Sequence, residues 1–263
     1  MRAAPDRNPP PHVETIEGDV AYLTVGDRRR TARAVIDTLA AHVLPERLAR
    51  MENVLAARTP DLVLAVENLH HSHNGAACLR TAEAMGLQDL VTVESLNVFP
   101  LFDAVNGPGS GGHKVTRLTD RWLSIHRVEG AAALRAFADG RGLQIWGAAP
   151  LGEATLADVP ADRPVMVLFG NEHSGIAPET LGVCDGSFRI PMYGFVESFN
   201  ISVSVGIVLY DLQRRRAAAR KNAEISAPAQ GLPRLRREAL LARWLFEDVR
   251  AAHLILNRAF ADD

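Results

Sequence analysis

The sequence predicts an α/β fold, a doubly wound and mostly parallel sheet covered by helices on both faces. Two observations carry this. Short runs such as Leu62–Val66 and Val165–Phe169 are apolar throughout instead of alternating, as strands buried on both faces are. Segments with helical spacing lie between them, and strands that alternate with helices lead to a parallel sheet. The 263 residues have room for one or two domains, at roughly 150 residues each.

The elements follow in order. Residues 1–27 read as a loose arm, polar and Pro-rich at its start. Thr31–Leu44 and Glu46–Arg58 read as two short amphipathic helices. In the second, Leu48, Met51, Val54 and Leu55 recur at helical spacing, and Pro60 ends the pattern. Leu62–Val66 is the first core strand. Asn74–Met85 reads as a helix with Asn74 as its cap and Gly86 just past its end, packed on the sheet through Ala76, Ala77 and Ala84. Leu90–Val93 is a strand, and the long stretch Ser95–Thr119 is glycine-rich and irregular. Ser124–Val128, Leu143–Gly147, Val165–Phe169 and Ser187–Ile190 read as further strands. Gly130–Ala138 is a helix, Pro178–Val183 begins another, and a last core helix runs from about Asn200 to Arg220. After a linker at Ala227–Pro233, Arg234–Arg258 reads as one amphipathic helix, with Leu235, Leu241, Leu245, Val249 and Leu256 near one face. This divides the chain into an N-terminal extension (1–60), a core (61–220) and a C-terminal helical extension (221–263).

Hydrophobic residues make up 47% and charged residues 23%, which excludes a disordered or fibrous chain. Cys78 and Cys184 are too few for a disulfide scaffold or a four-thiolate metal site. No apolar stretch approaches the roughly 20 residues that span a bilayer, and the N-terminus has no apolar segment of the kind a signal peptide needs. The expectation is a cytoplasmic protein. The net charge of −2 is unevenly spread: from Arg214 onward it is +5, and within Arg28–Arg58 seven arginines face three acids. All basic residues but Lys114 and Lys221 are arginine, the better bidentate partner for phosphate. A bias toward Arg and Ala codons would give the same composition.

Several patterns do not carry chemistry. Gly107–Gly112 fits G-x-G-x-x-G, but Lys114–Leu118 after it is no helix start, so a loop is the better reading. His70, His71, His73 and Cys78 lie close in sequence without a second ligand pair, so no metal is expected. Three other segments stand where open α/β sheets bind ligands, at strand C-termini. They are His73-Asn-Gly-Ala-Ala-Cys-Leu-Arg80-Thr81, Phe169-Gly-Asn-Glu-His-Ser-Gly175 and Ile190-Pro-Met-Tyr-Gly-Phe-Val-Glu-Ser198-Phe-Asn200. Taken singly, Arg80 could be a surface ion-pair partner, and Ser198 and Asn200 could do no more than cap a helix.

Taken together, in this order and spacing, the three segments resemble the TrmH (SpoU) family of the SPOUT superfamily, S-adenosylmethionine-dependent RNA 2′-O-ribose methyltransferases. The resemblance runs from about Arg47 to Arg216, and Arg58–Leu62 with Val66–His70 look like the tRNA guanosine-18 branch. Glu197 and Phe199 depart from the Gln and Leu usual there. The resemblance implies a deep C-terminal trefoil knot and a homodimer. It implies S-adenosylmethionine held around Ala148, Phe169, Gly170, Ile190, Met192 and Phe199, and catalytic roles for Arg80, Asn74, Glu172, Ser198 and Asn200. Arg80 would hold a phosphate and stabilise the developing alkoxide, and the other four would position it, the ribose and the cofactor. The implied substrate is RNA, most of all tRNA at guanosine 18. The alternatives are rRNA or another tRNA position, and a binding-only RNA chaperone that has kept the fold and lost activity. The two basic zones, Arg28–Arg58 and Arg214–Arg243, would bind RNA, and His113 and Lys114 would sit in a loop closing over the target.

Overall fold

The computed structural model describes residues 12–96, 120–196, 198–221 and 231–261. The glycine-rich run, His113, Lys114 and Glu197 lie outside them. The described chain forms two compact units, residues 59–221 and residues 12–58 with 231–261.

The larger unit holds seven strands: β4 (Leu62–Glu67), β5 (Asp89–Val93), β6 (Ser124–Val128), β7 (Gln144–Ala148), β8 (Ala154–Thr155), β9 (Val165–Phe169) and β10 (Gly186–Arg189). They are ordered β6-β5-β4-β9-β7-β10-β8, and every neighbouring pair is parallel. Each strand predicted from the sequence is present within a residue or two. The central strands β4 and β9 are buried at every position. Leu62, Leu64, Val66, Val165, Val167 and Phe169 point to one core, while Val63, Ala65, Met166 and Leu168 point to the other. This period-2 split over two covered faces explains why the runs are apolar without alternation.

The first face is covered by α3 (Ser72–Ala84) and α6 (Ile201–Lys221), which pack against each other. On α6, Ile201, Val205, Val208, Leu209 and Leu212 form the buried stripe expected at 3.6 residues per turn. On α3 the packed face is Ala76, Cys78, Leu79 and Ala82; Ala84 is exposed, contrary to expectation. The second face carries α4 (Gly130–Asp139) through Leu134 and Ala138. A single-turn helix, α5 (Pro178–Leu181), follows β9. Near the end of α6, the buried Arg216 donates to the carbonyls of Asp61 (3.0 Å) and Arg163 (2.7 Å). Burial lowers its pKa to about 10. Arg215 donates to the carbonyls of Leu156 and Val159. These two arginines tie the helix to loops and are not part of an open basic surface.

The smaller unit differs from the sequence reading. The presumed arm holds a three-stranded antiparallel sheet, β1 (His12–Glu17), β2 (Val20–Val25) and β3 (Arg28–Thr31). Then come α1 (Ala32–Leu39), a 3-10 turn, and α2 (Pro45–Ala57). The C-terminal segment is two helices, α7 (Arg234–Asp248) and α8 (Ala252–Ala259), broken where Ala251 takes a left-handed conformation at φ +58°. Helix α7 packs on β1, β2, α1 and α2 and buries Leu240, Trp244, Leu245 and Phe246. His12 and Glu14 of β1 meet Glu247 (2.9 Å) and Arg243 (3.1 Å), and Arg47 grips Asp248 through two hydrogen bonds of 2.8 and 3.0 Å.

Candidate active site

Strands β7, β9 and β10 end side by side, and the chain leaving each of them frames a cavity of about 310 Å³. Its walls combine apolar side chains with peptide groups and a few polar ones. Ala148, Phe169, Gly170, Ile190, Met192 and Phe199, the six positions expected around a cofactor, all line it, as do Glu172 and Ser198.

The turn after β9 is held tightly. Asn171 and Gly175 exchange two backbone hydrogen bonds of 2.9 Å, and the Asn171 carboxamide oxygen accepts from the backbone N–H groups of His173 and Ser174. Gly175 has φ +71°, which favours glycine. A side chain on Gly170 would collide with the Gly175 backbone, so this position is glycine for close approach. The Asn171 amide donates to the Asn68 carbonyl at 2.7 Å. Glu67, at the end of β4, accepts from the Ala177 N–H (2.8 Å) and the Thr180 hydroxyl (2.5 Å). Strand β4 therefore fixes both ends of the turn.

Asn74 is not the cap of α3; His71 holds that position, and Asn74 lies in the first turn, buried. Its amide donates to Glu172 Oε1 at 2.7 Å, and its carbonyl oxygen accepts from the Asn200 amide at 3.1 Å. Asn200 does cap α6: its Oδ1 accepts from the Ser202 N–H (2.9 Å) and hydroxyl (2.6 Å). The result is a directed chain, Asn200 to Asn74 to Glu172, that joins all three sequence segments and ends on a carboxylate. Partial burial opposes the charged form of Glu172, but the Asn74 hydrogen bond, nearby backbone donors and His71 outweigh it. They hold the carboxyl below its usual range. Behind it, Cys78 is buried, and burial together with the Glu172 charge pushes its thiol up to about 12. It is structural.

Arg80 does not join this chain or line the cavity. It is exposed on α3, with no ion pair to any described residue. The sequence reading also missed contributors. Ser204 lines the cavity one helical turn after Asn200, a position that i+4 spacing makes legible. Asn68, at φ +50°, accepts from the Ser95 and Leu96 N–H groups and donates to the Ser95 hydroxyl. Asparagine tolerates that conformation better than most residues, but no spacing rule singles it out. Among the described residues no group of three or more His, Cys, Asp or Glu is placed to hold a metal ion, and no helix is long and apolar enough to cross a membrane.

A seven-stranded parallel sheet with a ligand-sized cleft at the strand C-termini and polar groups converging from three loops defines an α/β enzyme class. The chain belongs to the SpoU rRNA Methylase family, whose model matches residues 61–210. It is similar to the tRNA (guanosine(18)-2′-O)-methyltransferase of Thermus thermophilus, with 34% identity over 174 residues, 66% of this chain and 84% of that one. Among solved structures it resembles the Aquifex aeolicus TrmH/SpoU tRNA modifying enzyme, with TM-score 0.65 and 28% identity over 78% of this chain and 98% of that one. The SpoU methyltransferase AviRb from Streptomyces viridochromogenes, in complex with AdoMet, shares the fold at TM-score 0.52 and 22% identity, over 63% of this chain and 62% of that one.

Proposed function

We propose that the protein is an S-adenosylmethionine-dependent RNA 2′-O-ribose methyltransferase acting on tRNA, with guanosine 18 as its target. The observation that carries this reading is the Asn200–Asn74–Glu172 chain, which reaches through Glu172 the cavity at the ends of β7, β9 and β10, on a chain of the SpoU family. The residues present fit the cofactor. Phe169, Ile190, Met192 and Phe199 give apolar walls for a purine and a thioether chain, and peptide groups around Ala148 and Gly170 offer donors and acceptors to its edge. Glu172, held ionised, favours positive charge nearby. S-adenosylmethionine, when bound, supplies an electrophilic methyl group.

The chain's own residues orient and stabilise. Asn74 is immobilised between two partners and so presents a fixed polar edge, while Asn200 caps the start of α6 and Ser198 lines the cavity. Orientation of this kind is the protein's main contribution to methyl transfer. The Arg80 guanidinium is a planar fork of N–H donors, available to hold a phosphate and to stabilise negative charge growing on a ribose oxygen. We further propose that the segment through β9, β10 and α6 forms the family's deep trefoil knot. We also propose that the protein works as a homodimer in the cytoplasm, so that Arg80 of one subunit serves the cavity of its partner. Exposed apolar side chains at Tyr193, Phe195, Val203 and Tyr210 support a self-association surface.

Labelled S-adenosylmethionine with unmodified bulk tRNA and rRNA, followed by nucleoside analysis, tests the activity. Label in 2′-O-methylguanosine from tRNA is the expected result. Label confined to rRNA would overturn the tRNA assignment in favour of the substrate in the family's description.

A further inference from the structure

The histidines of His70-His71-Ser-His73 have no role in the polar chain that joins Asn200, Asn74 and Glu172. The fold brings two of them to a third histidine from another segment. His70 and His71 follow β4, and His173 lies in the turn after β9, the neighbouring strand. The ring centroids of His70 and His71 are 5.2 Å apart at an interplanar angle of 75°, and those of His71 and His173 are 6.0 Å apart at 71°. His71 is therefore the middle ring of an edge-to-face row that crosses from one loop to the other. All three residues are exposed. Among the described residues no hydrogen bond or ion pair engages the three rings, and no group is placed to hold a metal ion there.

The row ends at the cavity. His173 lines it beside Glu172, and His71 stands close enough to act on the Glu172 charge. Both rings sit on fixed backbone. The His173 N–H donates to Asn171 Oδ1 at 2.9 Å, and the His71 carbonyl accepts from the Gly75 N–H at 3.1 Å where α3 begins. Rings that stand in solvent add little to the fold, since little of their area leaves water. What they offer is surface. Edge-to-face contact presses the edge of one ring on a face of the next, so most faces in the row are left uncovered by one another. The other rings at the cavity are committed. Phe169 and Phe188 are buried in the core, and Phe199 belongs to the apolar wall assigned to the cofactor. His173 and its neighbour His71 are the aromatic surface that remains for a second reactant.

We propose that His71 and His173 form a stacking platform for the base of the nucleotide whose ribose is methylated. The base hangs from the ribose carbon next to the one that carries the 2′-hydroxyl. A ribose that presents this oxygen to the cavity therefore sets its base on the rim. RNA loops offer bases free of pairing, and proteins take such bases on the faces of aromatic side chains, histidine included. Stacking accepts any base, so the platform fixes how the nucleotide lies and leaves the choice of base to polar contacts. His70 abuts His71 on the far side from His173 in the row and holds its tilt. The proposal rests on the RNA ribose methyltransferase reading and names how the same site seats its substrate, which governs the angle at which the oxygen meets the methyl group.

The test removes the base and keeps the ribose. The nucleotide that takes label from S-adenosylmethionine is mapped first, and a second transcript is made with an abasic ribose at that position. Equilibrium binding of the intact and abasic transcripts is then compared for the full-length protein loaded with S-adenosylhomocysteine, so that no turnover intervenes. Losing the base should weaken binding to the wild type roughly tenfold, within the range for a base stacked on an aromatic ring. The H71A/H173A variant should bind the intact transcript weaker by about the same factor, and removing the base should then cost less than about twofold more, because the two changes delete one contact. H71F/H173F keeps the ring faces and should restore most of the discrimination. The same tenfold penalty for base removal in wild type and in H71A/H173A, both folded by thermal melting, would overturn the platform. So would a wild type that binds the two transcripts equally. Loss of S-adenosylmethionine affinity in H71A/H173A with base discrimination kept would assign the rings to the cofactor and overturn it too. Label in no RNA would instead overturn the methyltransferase reading, and the platform with it, whereas label with unchanged discrimination overturns the platform alone.

Discussion

Substituting Asn74→Asp tests the polar chain at the site with almost no change in shape. It replaces a donor 2.7 Å from Glu172 Oε1 with an acceptor of the same size. At neutral pH two carboxylates would then face each other at about 4 Å between charge centres, which at an effective dielectric of about 20 amounts to about 4 kcal/mol of repulsion. Glu172 is partly exposed, and solvent screening brings this to about 2 kcal/mol. A smaller effect opposes it. Residue 74 lies in the first turn of α3, where a negative charge gains about 0.5 kcal/mol from the helix dipole. The net loss of about 1.5 kcal/mol lowers the melting temperature by roughly 3–6 °C for a unit of this size. The pH dependence carries a sign. In the wild type Glu172 is held below its usual range, so its contribution is present above about pH 4.5 and is lost as pH falls through the folded value. In the variant one of the two carboxyls is pushed upward and takes a proton first. The deficit relative to wild type should therefore shrink as pH is lowered from 8 to 5. Thermal melts at four pH values measure it. A variant as stable as wild type at pH 8, or a deficit that widens in acid, would refute the argument.

Other outcomes follow from the same geometry. Arg80→Ala should reduce turnover by two orders of magnitude or more, yet leave S-adenosylmethionine affinity nearly intact; equal loss of both would contradict a role outside the cavity. Gly170→Ala should cost about 3 kcal/mol and abolish cofactor binding because its side chain meets the Gly175 backbone. Gly175→Ala, with open space but φ +71°, should cost about 1 kcal/mol, and thermal melts would expose the reverse order. Burial raises the thiols of Cys78 to about 12 and Cys184 to about 11, so neither should react with iodoacetamide at pH 8 until the protein is unfolded; mass spectrometry of the alkylated peptides reads this directly.

The larger unit was legible because its strands are buried on both faces. No polar position interrupts Leu62–Val66 of β4 or any part of β9, and the α6 stripe is unbroken from Ile201 to Leu212. Strand β1 was invisible for the opposite reason. Its inward positions, His12 and Glu14, are polar and are satisfied by Glu247 and Arg243 of α7, while Val13 and Ile16 are exposed. Pattern reading cannot anticipate partners more than two hundred positions away. The break between α7 and α8 was hidden because alanine, not glycine, takes the left-handed position at 251. The site was legible as segments but not as a circuit. Asn74 looked like a cap since asparagine favours caps, and only the fold brings Glu172 and Asn200 to its two ends. The basic zones were overread. Arg58, Arg215 and Arg216 are consumed by packing and backbone carbonyls, and Arg47 by Asp248.

The smaller unit is assembled from segments that precede and follow the larger one in sequence, and synthesis makes them far apart in time. Strands β1–β3 leave the ribosome before α7, which covers Leu23 and its neighbours and is made about two hundred residues later. At about 5–20 residues per second that interval is on the order of 10–40 seconds. For that time the nascent sheet presents an uncovered apolar face while the catalytic unit can already close. The arginines along β3 then guard an edge that has no lid yet, and truncation before α7 should leave a chain that aggregates rather than a smaller soluble enzyme.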